Sequence, residues 1–105
     1  MMPNYEKKLR YLMRKTHGVC PIALEKDGFS LGVTELHHIV HNTKVNRKLF
    51  PLLIHSVWNL VAVNHSWHME YPTWGRRKDW QLEARRRESF LQRHPMMARR
   101  LNMED

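Results

Sequence analysis

Four polar side chains in the middle of the chain have the types and spacing that phosphoester chemistry needs. In chain order they are His37, His38, Asn59 and His68. The two adjacent histidines lie in the sequence Glu-Leu-His-His, and the asparagine opens the apolar run Asn-Leu-Val-Ala-Val. Hydrolysis of a phosphodiester requires a base that takes a proton from water, a cation that neutralises developing charge, and groups that hold both in place. Histidine can be that base near neutral pH because its ordinary pKa is ~6.5.

The adjacent histidines pose a geometric problem if they lie on a strand. Neighbouring side chains of a strand point to opposite faces, so His37 and His38 can serve one cleft only if the strand ends or twists there. One of them would then bind a metal ion while the other faces the scissile phosphate. His68, in the first turns of a following helix, could close over the same ion.

The elements that must position these residues are predicted from apolar spacing, caps and breakers. A helix is expected at about residues 4–16, with Asn4 as its cap, and turns with room for a short hairpin at residues 19–32. Residues 33–40 and 60–63 are strand candidates, joined by a long loop whose apolar residues anchor it to the core. Asn64 is placed to cap a short helix that runs to about Tyr71. A helical extension follows at about residues 77–103, broken at Pro95.

Composition bounds the class of protein and its partners. The 105 residues, 42% of them hydrophobic, indicate one small domain over residues 1–105 with one modest core. Eighteen Lys and Arg against ten Asp and Glu give a net charge of +8, which favours nucleic acid as the partner. The sequence has no apolar run near the ~18 residues of a membrane span and no secretory signal, so a soluble, cytoplasmic protein with no membrane partner is expected. With Cys20 as its single cysteine, the chain can form no intrachain disulfide.

Over residues 33–71 the motifs resemble the HNH endonuclease family, also called the ββα-metal nucleases. The family pattern has an acidic residue or histidine before a second histidine, an asparagine that opens an apolar strand, and a metal-binding histidine or asparagine nine positions later. The pair His37-His38, then Asn59 and then His68 follow that order and spacing. The resemblance implies an α+β fold with a ββα-metal core between N- and C-terminal helices. It also implies a divalent-metal-dependent endonuclease that nicks or cleaves DNA.

Carried over residue by residue, the resemblance makes His38 the general base and His37 and His68 the metal ligands. Asn59 would brace the loop between the strands and thereby orient the base. The Glu-Leu-His-His form is most similar to the DNase colicins, in which the glutamate at the place of Glu35 supports the site by hydrogen bonding. Such a carboxylate fixes the tautomer and orientation of an imidazole.

Two features depart from the family pattern. Many members carry two Cys-x-x-Cys pairs that bind a structural zinc, whereas Cys20 has no second cysteine, so no structural zinc is expected. Colicin-like members have a further histidine one turn beyond the last ligand, and Pro72 stands there in this chain. A catalytic metal with two protein ligands and more water suits Mg²⁺ or Mn²⁺ better than a closed zinc site, and Zn²⁺ or Ni²⁺ are the alternative ions.

Other histidines have simpler interpretations. His65 is the alternative metal ligand to His68, although it lies three residues short of the family spacing. His41 and His55 fall in the long loop, where we expect them to be solvated or to contact phosphate. Cys20 is expected to be a buried, small hydrophobic residue.

Basic residues near the motif are candidate phosphate contacts. A charge run is usually the solvated face of a helix, but one cluster lies in the loop between the catalytic strands and another directly follows the expected catalytic helix. Trp74, next to Gly75, is the best candidate for stacking on a base. The basic residues are Lys44, Arg47, Lys48, Arg76, Arg77 and Lys78.

Two other functions stay open at this stage. A non-catalytic nucleic-acid-binding module on the same scaffold would not cleave plasmid, and a toxin-like nonspecific nuclease would co-purify with an acidic inhibitor. The small size is typical of nucleases encoded by phages and mobile elements, which act in the cytoplasm of a bacterium or a phage-infected cell. A protein partner or a homodimer is compatible with the sequence.

Overall fold

A computed structural model describes residues 2–29 and 32–104 and shows helices around a small sheet. The elements in chain order are α1 (Tyr5–Lys15), α2 (Pro21–Asp27), β1 (Glu35–His38), α3 (Lys44–Leu49), a 3-10 helix (Val57–Asn59), β2 (Leu60–Val63), α4 (His65–Glu70), α5 (Trp80–Arg93) and α6 (Pro95–Leu101). Strands β1 and β2 are antiparallel, with Glu35 opposite Val63 and His38 opposite Leu60. The described chain therefore has the mixed α+β character that the sequence predicts.

Helix α1 forms where the apolar spacing places it and packs against β2. Its cap differs from the prediction: Asn4 adopts a left-handed conformation with φ 59°, and its side chain makes no capping hydrogen bond. The phenolic oxygen of Tyr5 instead accepts a hydrogen bond from the backbone N–H of Leu36 at 3.1 Å. This contact attaches α1 to the strand that carries the histidine pair.

Residues 19–32 contain a helix, so the prediction of turns alone is wrong for Pro21–Asp27. Pro21 stands in the first turn of α2, where its missing N–H has no intrahelical partner to lose, and Gly28 ends the helix with φ 76°. Proline at the start and glycine at the end are helix signals as well as turn signals. An isolated bridge joins Val19 to Gly32, and the part of the expected hairpin at positions 30 and 31 lies outside the described residues.

The long connection between the strands is partly helical and well anchored. Thr43 caps α3 by accepting a hydrogen bond from Asn46 N–H, an element that the sequence did not predict. Phe50, Leu53 and Ile54 are buried after it, which confirms that the connection is anchored to the core.

The C-terminal helices hold that connection in place. Glu88 on α5 is buried, and its Oε1 accepts hydrogen bonds from the backbone N–H groups of Leu52 and Leu53 at 3.0 and 2.9 Å. Pro95 separates α5 from α6, as predicted. The extension is therefore part of the scaffold for the loop between β1 and β2.

Buried apolar residues form two clusters, whereas the sequence indicated one core. The first lies among α1, α2 and the two strands: Met2, Leu12, Cys20, Ile22, Ala23, Val33, Leu36, Leu60, Ala62 and Val63. The second lies among the strand connection, α5 and α6: Val40, Phe50, Leu53, Ile54, Ala84, Leu91 and Ala98. Cys20 is fully buried in the first cluster, as expected. In the described part of the chain, no helix is long and apolar enough to cross a bilayer.

Candidate functional site

Asn59 is buried at the junction between the 3-10 helix and β2. Its Oδ1 accepts a hydrogen bond from Val40 N–H at 2.8 Å, and its Nδ2 donates to the carbonyl oxygens of Val40 and Ile54, both at 3.0 Å. One amide therefore joins the segment that leaves β1 to the end of the loop that enters β2. These are the contacts that the bracing role expected for Asn59 requires.

His37 and His38 turn their rings toward different partners, as strand alternation dictates. His37 is buried and its Nε2 lies 2.7 Å from the carbonyl oxygen of Trp74, while His38 Nε2 lies 3.1 Å from Nδ1 of His55. His38 is the last residue of β1. Because the strand ends there, both histidines line one cleft of about 250 Å³. Its other lining residues are His41, Asn42, His68 and Pro72.

The hydrogen bonds fix which ring nitrogens carry protons. A carbonyl oxygen only accepts, so His37 Nε2 must be the donor to Trp74, and neutral His37 keeps its lone pair on Nδ1. His68 Nδ1 lies 2.5 Å from Glu35 Oε2 and donates to it, which leaves the lone pair of neutral His68 on Nε2. The two rings meet edge to face with centroids 4.8 Å apart. Each of these histidines therefore offers one nitrogen that a cation can bind.

Glu35 supports two histidines of α4 at once. Its Oε1 accepts a hydrogen bond from His65 Nδ1 at 2.7 Å, and its Oε2 accepts a hydrogen bond from His68 Nδ1. Burial raises the pKa of the Glu35 carboxyl, but the hydrogen bonds from His68 and His65 outweigh burial and hold that pKa below its usual value. The His65 side chain is 65% exposed, against 26% for His68, and only His68 lines the cleft. The geometry thus separates the two candidate ligands.

Two residues of the cleft, His37 and His68, could each offer one ring nitrogen to a metal ion. Within residues 2–29 and 32–104, no group of three or more His, Cys, Asp or Glu side chains is arranged to hold a metal ion. Because both residues line the same cleft, a cation held there would have two protein ligands. The remaining positions around such a cation would be open to water and substrate.

Burial keeps the central histidines neutral. It lowers the pKa of His38 to about 4, and the proximity of His55, His37, Lys8 and His41 further disfavours a positive charge on this ring. The pKa of His37 is lowered by burial against the opposing hydrogen bond to Trp74. Burial also lowers the pKa of His55, and the charges of Lys8 and Arg47 add to this. All three imidazoles can therefore accept a proton or a cation at neutral pH.

Two residues of this neighbourhood were missed from the sequence. His55 was expected to be solvated or to contact phosphate, but it is half-buried and hydrogen-bonded to His38. Lys8 is 1% exposed and lies close enough to His38 and His55 for its charge to lower both pKa values. Lys8 lies three residues after Tyr5 and four before Leu12, so it falls on the apolar face of α1. This position was the sign in the sequence that Lys8 could be buried.

The expected phosphate contacts lie at the surface in two groups. Lys44, Arg47 and Lys48 are exposed on α3, and Arg47 is attached to the cleft edge by donating to Asn42 Oδ1 at 2.9 Å. The second group follows α4: Arg76 lies over the ring of Trp80, Arg77 pairs with Glu83 at 3.7 Å, and Lys78 is exposed.

Trp74, the candidate for base stacking, is half-buried and has two structural contacts. Its indole N–H donates to Glu25, and its carbonyl oxygen accepts from His37. The backbone of Trp74 thus fixes the tautomer of His37, a role that the sequence did not indicate.

Comparisons with known proteins do not identify a family for this chain. No protein-family model, curated protein or solved structure matches it significantly. The geometry of the site and the spacing of the motif are therefore what point to a function.

The lowered histidine pKa values predict that the fold loses stability in mild acid. His38 has a pKa of about 4 when folded and 6.5 ordinarily, so between these values the unfolded chain binds more protons than the folded one. Stability should be full above about pH 6.5 and should fall as the pH is lowered toward about pH 4. Urea denaturation midpoints in EDTA across this range measure the loss, and His38→Phe should reduce its slope. A midpoint independent of pH would contradict the burial of these imidazoles.

Proposed function

We propose that this protein is a divalent-metal-dependent DNA endonuclease of the HNH, or ββα-metal, type. The observation that carries the proposal is the convergence of His37, His38 and His68 on one cleft, at the end of an antiparallel strand pair followed by a short helix. The arrangement has the order of elements that the motif spacing predicts. The net charge of +8 favours a polyanionic substrate.

His37 Nδ1 and His68 Nε2 would hold the metal ion. A bound divalent ion neutralises charge on the phosphate and lowers the pKa of a bound water. The Glu35 carboxylate orients His68 by accepting a hydrogen bond from its Nδ1–H. The negative charge of the carboxylate also makes the Nε2 lone pair of His68 a stronger electron donor to a metal ion. The open positions, which water and phosphate oxygens would fill, favour Mg²⁺ or Mn²⁺, whereas the two imidazole ligands make Zn²⁺ or Ni²⁺ the alternatives.

His38 would take the proton from the attacking water. In the protein alone its pKa of about 4 keeps it unprotonated and therefore ready to act as a base. A phosphodiester anion in the cleft favours the protonated imidazole electrostatically and raises its pKa toward the working pH. Asn59 keeps the base at the cleft by fixing the backbone on the C-terminal side of β1.

The basic residues beside the cleft would position the DNA backbone. Lys44, Arg47 and Lys48 on α3 lie next to Asn42, which lines the cleft, and the segment from Arg76 to Lys78 follows α4 closely. Contacts to phosphate carry no sequence information, so these residues would supply affinity and register.

A non-catalytic nucleic-acid-binding module on the same scaffold is the second candidate. The lack of a metal-binding group of three side chains in the described chain favours it. The two candidates differ in whether the protein cleaves DNA when a divalent ion is supplied.

The first experiment is cleavage of supercoiled plasmid with a panel of divalent ions and with chelator. We expect nicked or linear product with Mg²⁺ or Mn²⁺ and none with EDTA. His38→Ala should lower the cleavage rate by about 10²-fold or more at unchanged DNA affinity, because His38 transfers a proton and does not bind the backbone. Binding without cleavage under every ion would instead support the non-catalytic module, and full cleavage by His38→Ala would remove the proposed base.

The second experiment separates the two histidines that share Glu35. His68→Ala should weaken Mn²⁺ binding, measured by calorimetry without DNA, and should abolish cleavage. His65→Ala is the matched control, since it also removes one hydrogen bond to Glu35 but no cleft-lining nitrogen. It should leave both quantities within a few-fold of the parent. The reverse result would show that the ligand assignment is wrong.

The third experiment concerns the cluster on α3. Replacing Lys44, Arg47 and Lys48 together by alanine should weaken binding to unrelated DNA sequences and flatten the dependence of log affinity on log salt by about one unit per lost phosphate contact. A control with Arg85, Arg86 and Arg93 replaced removes the same charge from α5. An equal change in both variants would mean that only net charge matters.

A further inference from the structure

We propose that His55 is the positioning residue for the general base: its Nδ1 accepts the Nε2–H of His38 and thereby holds the His38 lone pair on Nδ1. The inference rests on the proposed function and names a residue outside the motif that suggested it. The described hydrogen bonds and ring contacts of His55 include neither of the proposed metal ligands.

The contact has the geometry of a hydrogen bond between two rings. The two nitrogens are 3.1 Å apart, the ring centroids are 5.3 Å apart, and the planes are inclined by 72°. Only one proton can lie between the nitrogens, so one ring donates and the other accepts. If His38 donates, its Nδ1 is a base; if His55 donates, His38 Nδ1 carries a proton and cannot receive one from water.

The surroundings of His55 keep its ring neutral, which is one requirement for its role as acceptor. Lys8 and Arg47 lie near enough to oppose a positive charge on His55, and burial opposes it as well, so the ring stays neutral and keeps a lone pair. When His38 takes up a proton at Nδ1, both of its N–H groups need acceptors. His55 Nδ1 is the acceptor that the described residues provide for Nε2.

The scaffold holds His55 firmly enough for this role. It lies between Ile54, whose carbonyl oxygen accepts from Asn59, and Ser56, which caps the 3-10 helix leading to β2. Asn59 thus fixes the backbone beside His38 and the backbone beside His55 together. A fixed partner lowers the cost of orienting the base at the moment of reaction.

The direct test is the tautomer of His38, read from the nitrogen chemical shifts of histidine-labelled, metal-free protein at neutral pH. We expect a protonated Nε2 and an unprotonated Nδ1 in His38, and an unprotonated Nδ1 in His55. This measurement needs no cleavage, so it stands even if the protein proves not to be a nuclease. A protonated Nδ1 on His55 would overturn the proposal.

The functional test uses two substitutions of His55. His55→Phe removes the acceptor and keeps a ring, and it should lower the maximal cleavage rate by about 10-fold or more with an unchanged Michaelis constant for DNA. His55→Asn places a carbonyl oxygen near the position of Nδ1, so it should recover much of the rate and restore the His38 tautomer. Exposed His94→Phe and His17→Asn are the matched controls and should cleave like the parent.

The two tests together separate the possible failures. A wild-type protein without cleavage but with the expected tautomers would refute the endonuclease and leave the hydrogen bond established. Full cleavage by folded His55→Phe, or an equal loss in His55→Phe and His55→Asn with the His38 tautomer unchanged in both, would overturn the positioning role.

Discussion

The hydrogen bonds of the buried Asn59 amide are the constraint on which the site depends. They satisfy both backbone polar groups of Val40 and the carbonyl oxygen of Ile54, and both of these residues are buried. An unsatisfied buried polar group costs about 1–3 kcal/mol, so alternative paths for these two backbone segments are disfavoured. Because one segment follows His38 and the other precedes His55, the same side chain sets the distance between the two histidines.

The charges around the cleft are distributed unevenly. Glu35 directs its negative charge to the α4 histidines and accepts a hydrogen bond from each of them. His38 and His55 lie instead near the buried Lys8, which disfavours their protonation. Neighbouring charge therefore differs between the two ends of the site, as the proposed division into metal ligands and a neutral base requires.

The C-terminal helices take part in this arrangement through the Glu88 carboxylate and through Asn102, whose Nδ2 donates to the carbonyl oxygen of Leu52 at 3.0 Å. Glu88 accepts hydrogen bonds from the backbone N–H groups of Leu52 and Leu53, which lie three and two residues before His55. The second apolar cluster then covers the connection between the strands. The connection is consequently a fixed scaffold for His55 and the basic helix α3, although it is rich in turns and charged residues.

The sequence alone determined the elements that depend on local signals. The apolar spacing of α1, the run Leu60–Val63, the Asn64 cap of α4 and the break at Pro95 are properties of neighbouring residues, and the structure has each of them. Helices α2 and α3 were missed because proline, glycine and threonine favour turns as well as helix ends. Spacing also selected His37, His38, Asn59 and His68.

Only the tertiary structure decided which groups meet around these four residues. His55 is 17 positions from His38, and Glu35 is 30 and 33 positions from the histidines that it holds. Contacts between residues so far apart depend on how strands and helices pack, and no local sequence pattern predicts them. The protonation states depend on the same packing, because burial by distant parts of the chain, and not the residue type, lowers the pKa of His38 to about 4.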